Sequence, residues 1–500
     1  MLEALAGGIL NVLEPVHLLA LIGGTVLGFF GGATPGISGV MMVVVFLPIT
    51  YGMESGTAFL ILVSIYASAV FSGSISAILF RTPGAPEAIA TSLDGYPMAQ
   101  QGKAGEALGY AIMSSAIGGV IGGVILTFSA PTLARFALEF GSPEYFALVV
   151  MGLTVVSSLG GGDSIKGYLG AACGLLIATV GLDPITGVQR FTFNQPDLMA
   201  GISFIPILIG LFAVSEVIRK FQEEESRGKM QKSAVSKLPG LKDILRLKGT
   251  LIRSSLLGTF IGILPGVGAT TASMLSYSEA VRWSKYPEKY GTGIPEGIVA
   301  PESANNAAAG GALVPLVALG IPGSATTAVI LGAFILHGIQ PGPLMFQTDG
   351  ELVYTIFVGM LLVNVLIILL AKWFIRFFAQ ILKLPYSILG TLIGALCIVG
   401  TYAVRNSMTD VYIMLGFGFV GYLLDKVKFP TAPIILGVVL GSMAEEEFRR
   451  SLVTSNGDFG IFFTRPISGV LLAIACLTFI LPIIAGFRDK LRSRGKAADI

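Results

Sequence analysis

Charged residues are scarce in this sequence of 500 residues, of which only 12% are Asp, Glu, Lys or Arg. A soluble chain typically carries about 25% charged residues, so the charge present here is too little to cover the surfaces of soluble domains. The hydrophobic fraction is 53% and the formal net charge is +2. A charge this small gives no electrostatic attraction to nucleic acid. The composition therefore predicts a polytopic protein whose outer surface is covered mainly by the lipid bilayer.

Histidine and cysteine are also rare, with two and three residues respectively. Each cysteine lies within an apolar run and no CxxC pair occurs, a pattern typical of buried small hydrophobic side chains. Two histidines give little support for a metal site, and no P-loop for ATP is present. We therefore expect no resident metal or cofactor, and no ATP hydrolysis by this chain.

Long apolar segments are common, but many are shorter than the roughly 20 residues that a helix needs to cross the hydrocarbon. Several are also interrupted by Pro-Gly steps. Backbone freed by such breaks has to be buried in protein or line an aqueous cavity. The sequence therefore predicts an all-α membrane protein with broken or re-entrant helices.

Basic residues are distributed unevenly along the chain. No Lys or Arg precedes Arg81, whereas ten lie between 219 and 253, and the last 14 residues are also basic. Because cytoplasmic loops are enriched in Lys and Arg, we expect a periplasmic N-terminus and a cytoplasmic linker and C-terminus. This arrangement needs an odd number of crossings before the linker and an even number after it.

Two motifs recur in the same order in the two halves. Gly28–Gly36 and Gly258–Gly266 share the pattern G-x3-G-x2-P-G, and Thr82–Ala85 is matched by Ile321–Ser324. With an odd number of crossings in the first half, a duplication would give inverted repeats. We predict repeat 1 over 1–219, a charged cytoplasmic linker over 220–249, repeat 2 over 250–465, an additional transmembrane helix over 466–486 and a basic tail over 487–500.

Paired Pro/Gly-broken helices are typical of secondary transporters, in which the breaks lie at a central binding site. The N–H groups of a helix N-terminus can hold a carboxylate without a buried cation, and nearby hydroxyl and amide groups can complete the site. The predicted substrate-binding residues are Thr34, Pro35, Gly36, Ser38, Arg81, Pro265, Gly266, Thr270, Thr271, Asn305, Asn306, Pro322, Gly323 and Ser324. Freed carbonyl groups near Gly36, Gly266 and Asn305 form a possible site for a coupling cation.

Each of these assignments has a structural alternative. The Pro-Gly breaks can serve close helix packing, which is also our interpretation of the small-residue pairs Gly118/Gly122 and Gly119/Gly123. Arg81 can clamp a carboxylate or extend from a helix end to the membrane surface.

Two further polar segments carry predictions of local structure. Pro301 and Glu302 suit the first turn of a helix, in which Asn305 and Asn306 would need partners. The segment 94–97, which is Asp-Gly-Tyr-Pro, predicts a turn with a structural role.

The same motifs resemble those of the large membrane subunit of the tripartite tricarboxylate transporters. The similarity extends over about residues 15–460 and is most specific at Glu296–Asn306, Leu319–Ser324 and His337–Gly342. It implies a permease of the bacterial inner membrane that works with a small membrane subunit and a periplasmic solute-binding protein. It also implies import of citrate or other small carboxylates, driven by a gradient of Na⁺ or H⁺. The sequence departs from the family pattern at Arg81, where an Asn is common.

Two other functions were considered. A stand-alone secondary carboxylate transporter would lack the two partner proteins. An intramembrane enzyme is suggested only by the segment 160–163, which matches a GxGD protease motif. Such a protease needs a second aspartate, usually in a Tyr-Asp pair, and no such pair occurs. We therefore expect a transporter and no enzymatic activity.

Overall fold

The computed structural model describes residues 2–34, 37–81, 84–159, 164–183, 186–222, 239–381 and 386–498. These residues are almost entirely helical, apart from a short antiparallel pair of strands, β1 (Gly181–Leu182) and β2 (Gln189–Arg190). The helices before the linker are α1 (Leu2–Val12), α2 (Pro15–Ala33), α3 (Gly39–Phe46), α4 (Ser55–Phe80), α5 (Ile89–Met98), α6 (Ala104–Ala137), α7 (Ser142–Leu159), α8 (Ser164–Ala178), α9 (Phe204–Leu208) and α10 (Ser215–Gln222). Those after it are α11 (Leu241–Arg246), α12 (Lys248–Ile263), α13 (Gly268–Trp283), α14 (Glu296–Leu319), α15 (Ala325–Leu336), α16 (Met345–Thr348), α17 (Gly350–Ile381), α18 (Tyr386–Arg405), α19 (Met408–Lys426), α20 (Ala432–Thr454), α21 (Ile461–Thr464) and α22 (Pro466–Ala498).

The helices confirm an all-α polytopic membrane protein. Six stretches of the described chain are long and apolar enough to cross a bilayer, namely Pro15–Ala33, Ser55–Phe80, Pro86–Ala137, Gly350–Leu370, Ile388–Arg405 and Met408–Lys426. Large apolar side chains such as Leu19 and Tyr412 are about 70% exposed. Surfaces of this kind are stable only in contact with lipid or with another protein.

The chain forms two compact units. Unit 1 comprises Met1–Ala137 and Leu208–Phe419, and unit 2 comprises Leu138–Ile207 and Val420–Ile500. Each unit therefore combines two segments that are distant in the sequence.

The first glycine motif lies at the tip of a helical hairpin in unit 1. Helix α2 lies against α4 so closely that a Cβ on Gly28 would be 2.3 Å from the Ile65 carbonyl oxygen, and one on Gly32 would be 2.3 Å from that of Ala69. Because the later glycine of α2 contacts the later residue of α4, the two helices run in the same direction. After the tip, α3 and the 3₁₀-helix Leu47–Thr50 return to the start of α4.

The second glycine motif forms a corresponding hairpin beside α14. A Cβ on Gly258 would be 2.2 Å from the Ala304 carbonyl oxygen, and one on Gly262 would be 2.4 Å from that of Ala308. Helix α13 then returns along α14, where the Ser276 hydroxyl donates to the Ala300 carbonyl oxygen. Both motifs therefore end one limb of a helical hairpin that packs backbone to backbone against a long helix, a contact that requires glycine.

The two hairpins run in opposite directions within unit 1. The middle of α4 reaches the segment after the end of α14, where the Tyr66 hydroxyl lies 3.5 Å from Ser324 Oγ. The end of α4 lies beside α5, whose Asp94 packs on Gly297 at the start of α14. Helices α4 and α14 are therefore antiparallel. The hairpins that pack along them, α2–α3 and α12–α13, are antiparallel as well.

Two local predictions were wrong. Pro301 does not open a helix, because α14 already begins at Glu296 and contains Pro301 in its interior. Every residue of α14 from Gly297 to Leu319 is buried, and this tertiary packing outweighs the roughly 3 kcal/mol that an interior proline costs.

The Asp-Gly-Tyr-Pro segment is likewise helical and lies in α5, not in a turn. Its role is structural, because Asp94 Oδ1 accepts hydrogen bonds from the backbone N–H groups of Gly291, Gly293 and Ile294. Asp94 Oδ2 accepts one from the Tyr277 hydroxyl. The carboxylate thus fixes the loop that leads into α14.

Glu54 caps the start of α4, where its carboxylate accepts from the N–H groups of Gly56 and Thr57 and contacts His17. Burial raises the pKa of Glu54, but the hydrogen bonds from His17 and these N–H groups outweigh it and lower the pKa from 4.5 to about 2. Glu54→Ala removes this cap and is expected to lower the free energy of unfolding by about 1 kcal/mol. The loss is small because the side chain is largely exposed. Thermal unfolding in detergent measures the loss.

The contribution of Glu54 should be complete above about pH 4.5 and should be lost as the pH falls toward 2, because the folded state binds its proton less tightly. Glu14→Ala is the matched control, since Glu14 precedes α2 in the same way but its side chain caps no N–H group. An equal loss of stability in both variants would show that the cap is not the cause.

Unit 2 is built on the same kind of glycine contact. A Cβ on Gly174 of α8 would be 2.0 Å from the Ile434 carbonyl oxygen, and one on Gly437 of α20 would be 2.4 Å from that of Ala171. Helix α22 continues from Pro466 to Ala498 and so includes both the predicted additional helix and most of the basic tail. The GxGD segment at 160–163 lies outside the described residues.

Candidate functional site

In unit 1, the chain segments at the Pro-Gly breaks lie next to one another. The Gly266 N–H donates to the Gly323 carbonyl oxygen at 2.9 Å, which joins the tip of the α12–α13 hairpin to the break between α14 and α15. Gly268 starts α13 with φ +70°, and a Cβ there would lie 3.8 Å from Ser324 Cβ. The N-termini of α13 and α15 are therefore neighbours.

The two breaks of the first half approach each other in the same way. A Cβ on Gly84 would lie 2.2 Å from the Gly32 carbonyl oxygen and 3.3 Å from Gly73 Cα. In the second half, a Cβ on Gly323 would lie 2.7 Å from the Gly262 carbonyl oxygen and 2.7 Å from Ala312 Cα. Gly32, Gly73 and Gly84 thus make contacts similar to those of Gly262, Ala312 and Gly323, while the duplication itself stays a prediction.

Each hairpin also contacts the break of the opposite half. Helix α3 packs against α15, and the Tyr66 hydroxyl reaches Ser324. In the other direction, α13 packs against the 3₁₀-helix Pro86–Ala88, where the Ser273 hydroxyl donates to the Glu87 carbonyl oxygen at 2.7 Å. These reciprocal contacts bring the described residues beside the breaks of both halves into one cluster. We call it the tip cluster, and its members are Gly32, Thr34, Ser38, Gly84, Glu87, Gly262, Gly266, Thr270, Thr271, Ser273, Gly323 and Ser324.

Several predicted hydroxyl groups lie in the tip cluster. Thr34 ends α2 and donates to the Phe30 carbonyl oxygen, and Ser38 accepts from the Met41 N–H at the start of α3. Ser324 accepts from the Thr327 N–H and caps α15. Thr270 and Thr271 are half-buried in the first turn of α13.

The remaining predicted residues divide into three groups. Pro265 is buried beside the half-buried Gly266, and Pro322 and Gly323 are buried at the other break. Pro35 and Gly36 lie outside the described residues, as do Thr82 and Pro83. Arg81 is described and lies at the end of α4, three residues before Gly84.

Arg81 ends α4 with a left-handed backbone, at φ 57°. Its side chain is exposed, and its guanidinium lies 5.8 Å from the centre of the Tyr96 ring. The structure thus places Arg81 at a helix end and over an aromatic ring.

Asn305 and Asn306 are almost completely buried in α14, at 0% and 1% exposure. Within the described part of the chain neither amide has a hydrogen-bond partner of good geometry, although the Asn305 amide lies close to the Glu302 carboxyl group. With a rise of about 1.5 Å per residue, the pair lies roughly 10 Å along α14 from Ala312, which touches the tip cluster. Buried amides without partners are costly, so these two groups are suited to a ligand.

Two buried polar residues of this region were missed at the sequence level. Tyr66 lies in an apolar stretch of α4 and had no pattern to distinguish it. Glu302 was assigned to a helix start, yet it is buried in α14 and accepts hydrogen bonds from Thr91 and Ser115. Its position between two hydrophobic runs was the available signal, since intramembrane acids are rarely without a function.

The arrangement combines helix N-termini, hydroxyl groups and free amides, which together can hold a carboxylate in a dehydrated interior. A cation would have to be held mainly by hydroxyl, amide and carbonyl oxygens, because no group of three His, Cys, Asp or Glu side chains suited to a metal occurs among the described residues.

The chain is similar to several known sequences. The family model described as "Tripartite tricarboxylate transporter TctA family" matches residues 18–436. An uncharacterized 52.8 kDa protein in the TAR-I ttuC' 3' region of Agrobacterium vitis is 40% identical over 493 residues, which is 98% of each chain. An uncharacterized protein in the TAR-II ttuC' 3' region of the same organism is 40% identical over 233 residues, 47% of this chain and 96% of its own. No solved structure matches this chain.

Proposed function

Because this chain belongs to the tripartite tricarboxylate transporter TctA family, we propose that it is the permease subunit of a three-component system that imports small carboxylates. Its partners in this proposal are a small membrane subunit and a periplasmic solute-binding protein. Uptake is driven by a gradient of H⁺ or Na⁺ across the bacterial inner membrane. Citrate and other di- and tricarboxylates are the candidate substrates.

The observation that carries this proposal is the meeting of two glycine-rich hairpins that run into unit 1 from opposite ends. Re-entrant hairpins related in this way are the expected products of an inverted repeat. Their tips lie next to the breaks before α15 and before the 3₁₀-helix Pro86–Ala88. A site between such tips can be reached alternately from the two sides of the membrane by small movements of the hairpins.

In this proposal the carboxylates of the substrate are held by the N-termini of α13 and α15. Thr270, Thr271 and Ser324 supply hydroxyl groups there, and the unpartnered amides of Asn305 and Asn306 bind substrate or cation deeper in the unit. The N-terminus faces the periplasm and the linker and C-terminus face the cytoplasm. The antiparallel arrangement of α4 and α14 is compatible with this topology, in which the two halves of the chain have opposite orientations.

Proteoliposomes provide the test. The chain is reconstituted with a candidate small membrane subunit and a candidate solute-binding protein, and uptake of radiolabelled citrate and of shorter dicarboxylates is measured under an imposed ion gradient. We expect uptake to require all three proteins. Uptake by this chain alone would instead indicate a stand-alone secondary transporter, and no uptake of any carboxylate would contradict the proposal.

A further inference from the structure

The Glu302 carboxyl group lies at the junction of three helices in unit 1. It is 0% exposed, and each of its oxygens accepts a hydrogen bond from a different helix. Thr91 Oγ1 of α5 lies 2.5 Å from Oε1, and Ser115 Oγ of α6 lies 2.6 Å from Oε2. Both hydroxyl groups are themselves fully buried.

No positive charge compensates Glu302 among the described residues, because no ion pair includes it and its hydrogen-bond partners are neutral. The acidic group that interacts with it through its charge is Glu87, which can only oppose a second negative charge. Asp94 of α5 is engaged by Tyr277 and by the loop before α14. The other titratable groups on the elements packed around α14 are Tyr66, Tyr96, Glu106, Tyr110, Arg135, Lys248, Arg253, Glu279 and Arg282.

A carboxylate in such a position has to be neutralised, because an isolated charge in a membrane interior is very costly. A metal cation does not fit between the oxygens as they stand. Two oxygens bound to one small cation are about 3 Å or more apart, since each lies roughly 2.0–2.6 Å from the ion. The separations at Glu302 are those of direct O–H···O hydrogen bonds, which is the environment of a group that binds a proton.

We infer that Glu302 is the proton-binding site that couples carboxylate import to the proton gradient, an inference that rests on the proposed function. In each cycle the carboxyl group takes up one proton from the outer side and releases it to the inner side. Thr91 and Ser115 suit both states, because a hydroxyl donates to the ionised carboxylate and accepts from the protonated one. Asn305 and Asn306 follow Glu302 on α14. The same helix therefore contacts both the proposed substrate and the proton.

Glu302→Gln tests this assignment, because glutamine keeps the shape and can hydrogen-bond but cannot exchange a proton. In proteoliposomes that contain all three components and no Na⁺, the system with wild-type protein is expected to accumulate labelled carboxylate when the outside is acidic. Glu302→Gln should lose this accumulation at least tenfold. It should retain, within about twofold, the exchange of external labelled for internal unlabelled carboxylate at equal pH, which needs no net proton movement.

Neighbouring serines of α6 give a matched pair of control variants. Ser115→Ala removes a donor to Glu302, and carboxylate uptake should reach half its maximum at a higher pH because the ionised form is less well stabilised. Ser114→Ala should leave this midpoint unchanged, since the equally buried Ser114 hydroxyl bonds only to the carbonyl groups of Tyr110 and Ala111 in its own helix. This pair decides the question if Glu302→Gln does not fold.

Several outcomes would overturn the inference. Proton-driven accumulation by Glu302→Gln would exclude the residue as the carrier, as would an unshifted midpoint in Ser115→Ala. Loss of exchange together with accumulation would assign Glu302 a role in binding or folding instead. Wild-type uptake that depends on Na⁺ alone would reject proton coupling but leave the proposed function intact, whereas a wild-type protein that moves no carboxylate would reject both.

Discussion

Simultaneous replacement of Asn305 and Asn306 with alanine is expected to reduce carboxylate uptake at least tenfold. Hydrogen bonds to a charged partner contribute about 1.5–3 kcal/mol each, and a loss of 1.4 kcal/mol corresponds to a factor of ten in affinity. Neither amide has a hydrogen-bond partner of good geometry among the described residues, so their hydrogen bonds are available to a bound substrate or cation. Initial rates of uptake in proteoliposomes, measured over a range of substrate concentrations, give the size of the effect.

The thermal stability of the ligand-free double variant distinguishes binding from a structural role. Removing a buried polar group without a partner relieves a desolvation cost, which offsets the small cavity left by alanine. We therefore expect a Tm close to that of the wild type despite the loss of transport. Asn364→Ala is the control, because its buried side-chain N–H donates to the Met360 carbonyl oxygen within α17 and only its Oδ1 has no partner among the described residues. Wild-type uptake by the double variant would remove these residues from the site.

Gly258→Val is expected to abolish transport by separating α12 from α14. A Cβ at this position would stand 2.2 Å from the Ala304 carbonyl oxygen and 2.6 Å from Ala304 Cα. These atoms belong to the backbone of a fully buried helix and cannot move aside as a side chain could. The resulting overpacking should cost about 3 kcal/mol or more, visible as a loss of monodisperse protein in size-exclusion chromatography and as a lowered Tm.

Gly249→Val in the same helix is the matched control, since nothing lies within 4 Å of a Cβ at Gly249. It should fold and transport normally. Gly28→Val should behave like Gly258→Val, because Gly28 makes the corresponding contact with the Ile65 carbonyl oxygen in the first half. Equal behaviour of the variants at Gly249 and Gly258 would mean that the close contact between α12 and α14 is not essential.

Much of the fold class could be read from the sequence because it depends on composition and on local chemistry. Low charge and long apolar segments predicted a membrane protein, and the Pro-Gly steps marked the positions at which helices end. The glycines that the two matched motifs share make similar backbone contacts, Gly28 and Gly32 with α4 and Gly258 and Gly262 with α14, whereas the duplication inferred from them stays a prediction.

Local patterns failed where tertiary burial determines the conformation. Pro301 was taken for a helix start and the Asp-Gly-Tyr-Pro segment for a turn, yet both are helical because neighbouring elements surround α14 and α5. Tyr66 and the partners of Glu302 could not be found in advance, since Tyr66 meets Ser324 across 258 residues and Thr91 meets Glu302 across 211.

The sequence by itself determined that this chain enters a membrane, where its helices break and that its two halves share a pattern, because hydrophobicity and the special backbone chemistry of glycine and proline act locally. Only the tertiary structure decided that the breaks of both halves meet in one cluster and that the Asn305 and Asn306 amides have no partner among the residues it describes. It also placed Glu302 between the hydroxyl groups of two other helices. These properties depend on contacts between distant segments, which are fixed when the close glycine contacts set the direction and depth of each hairpin.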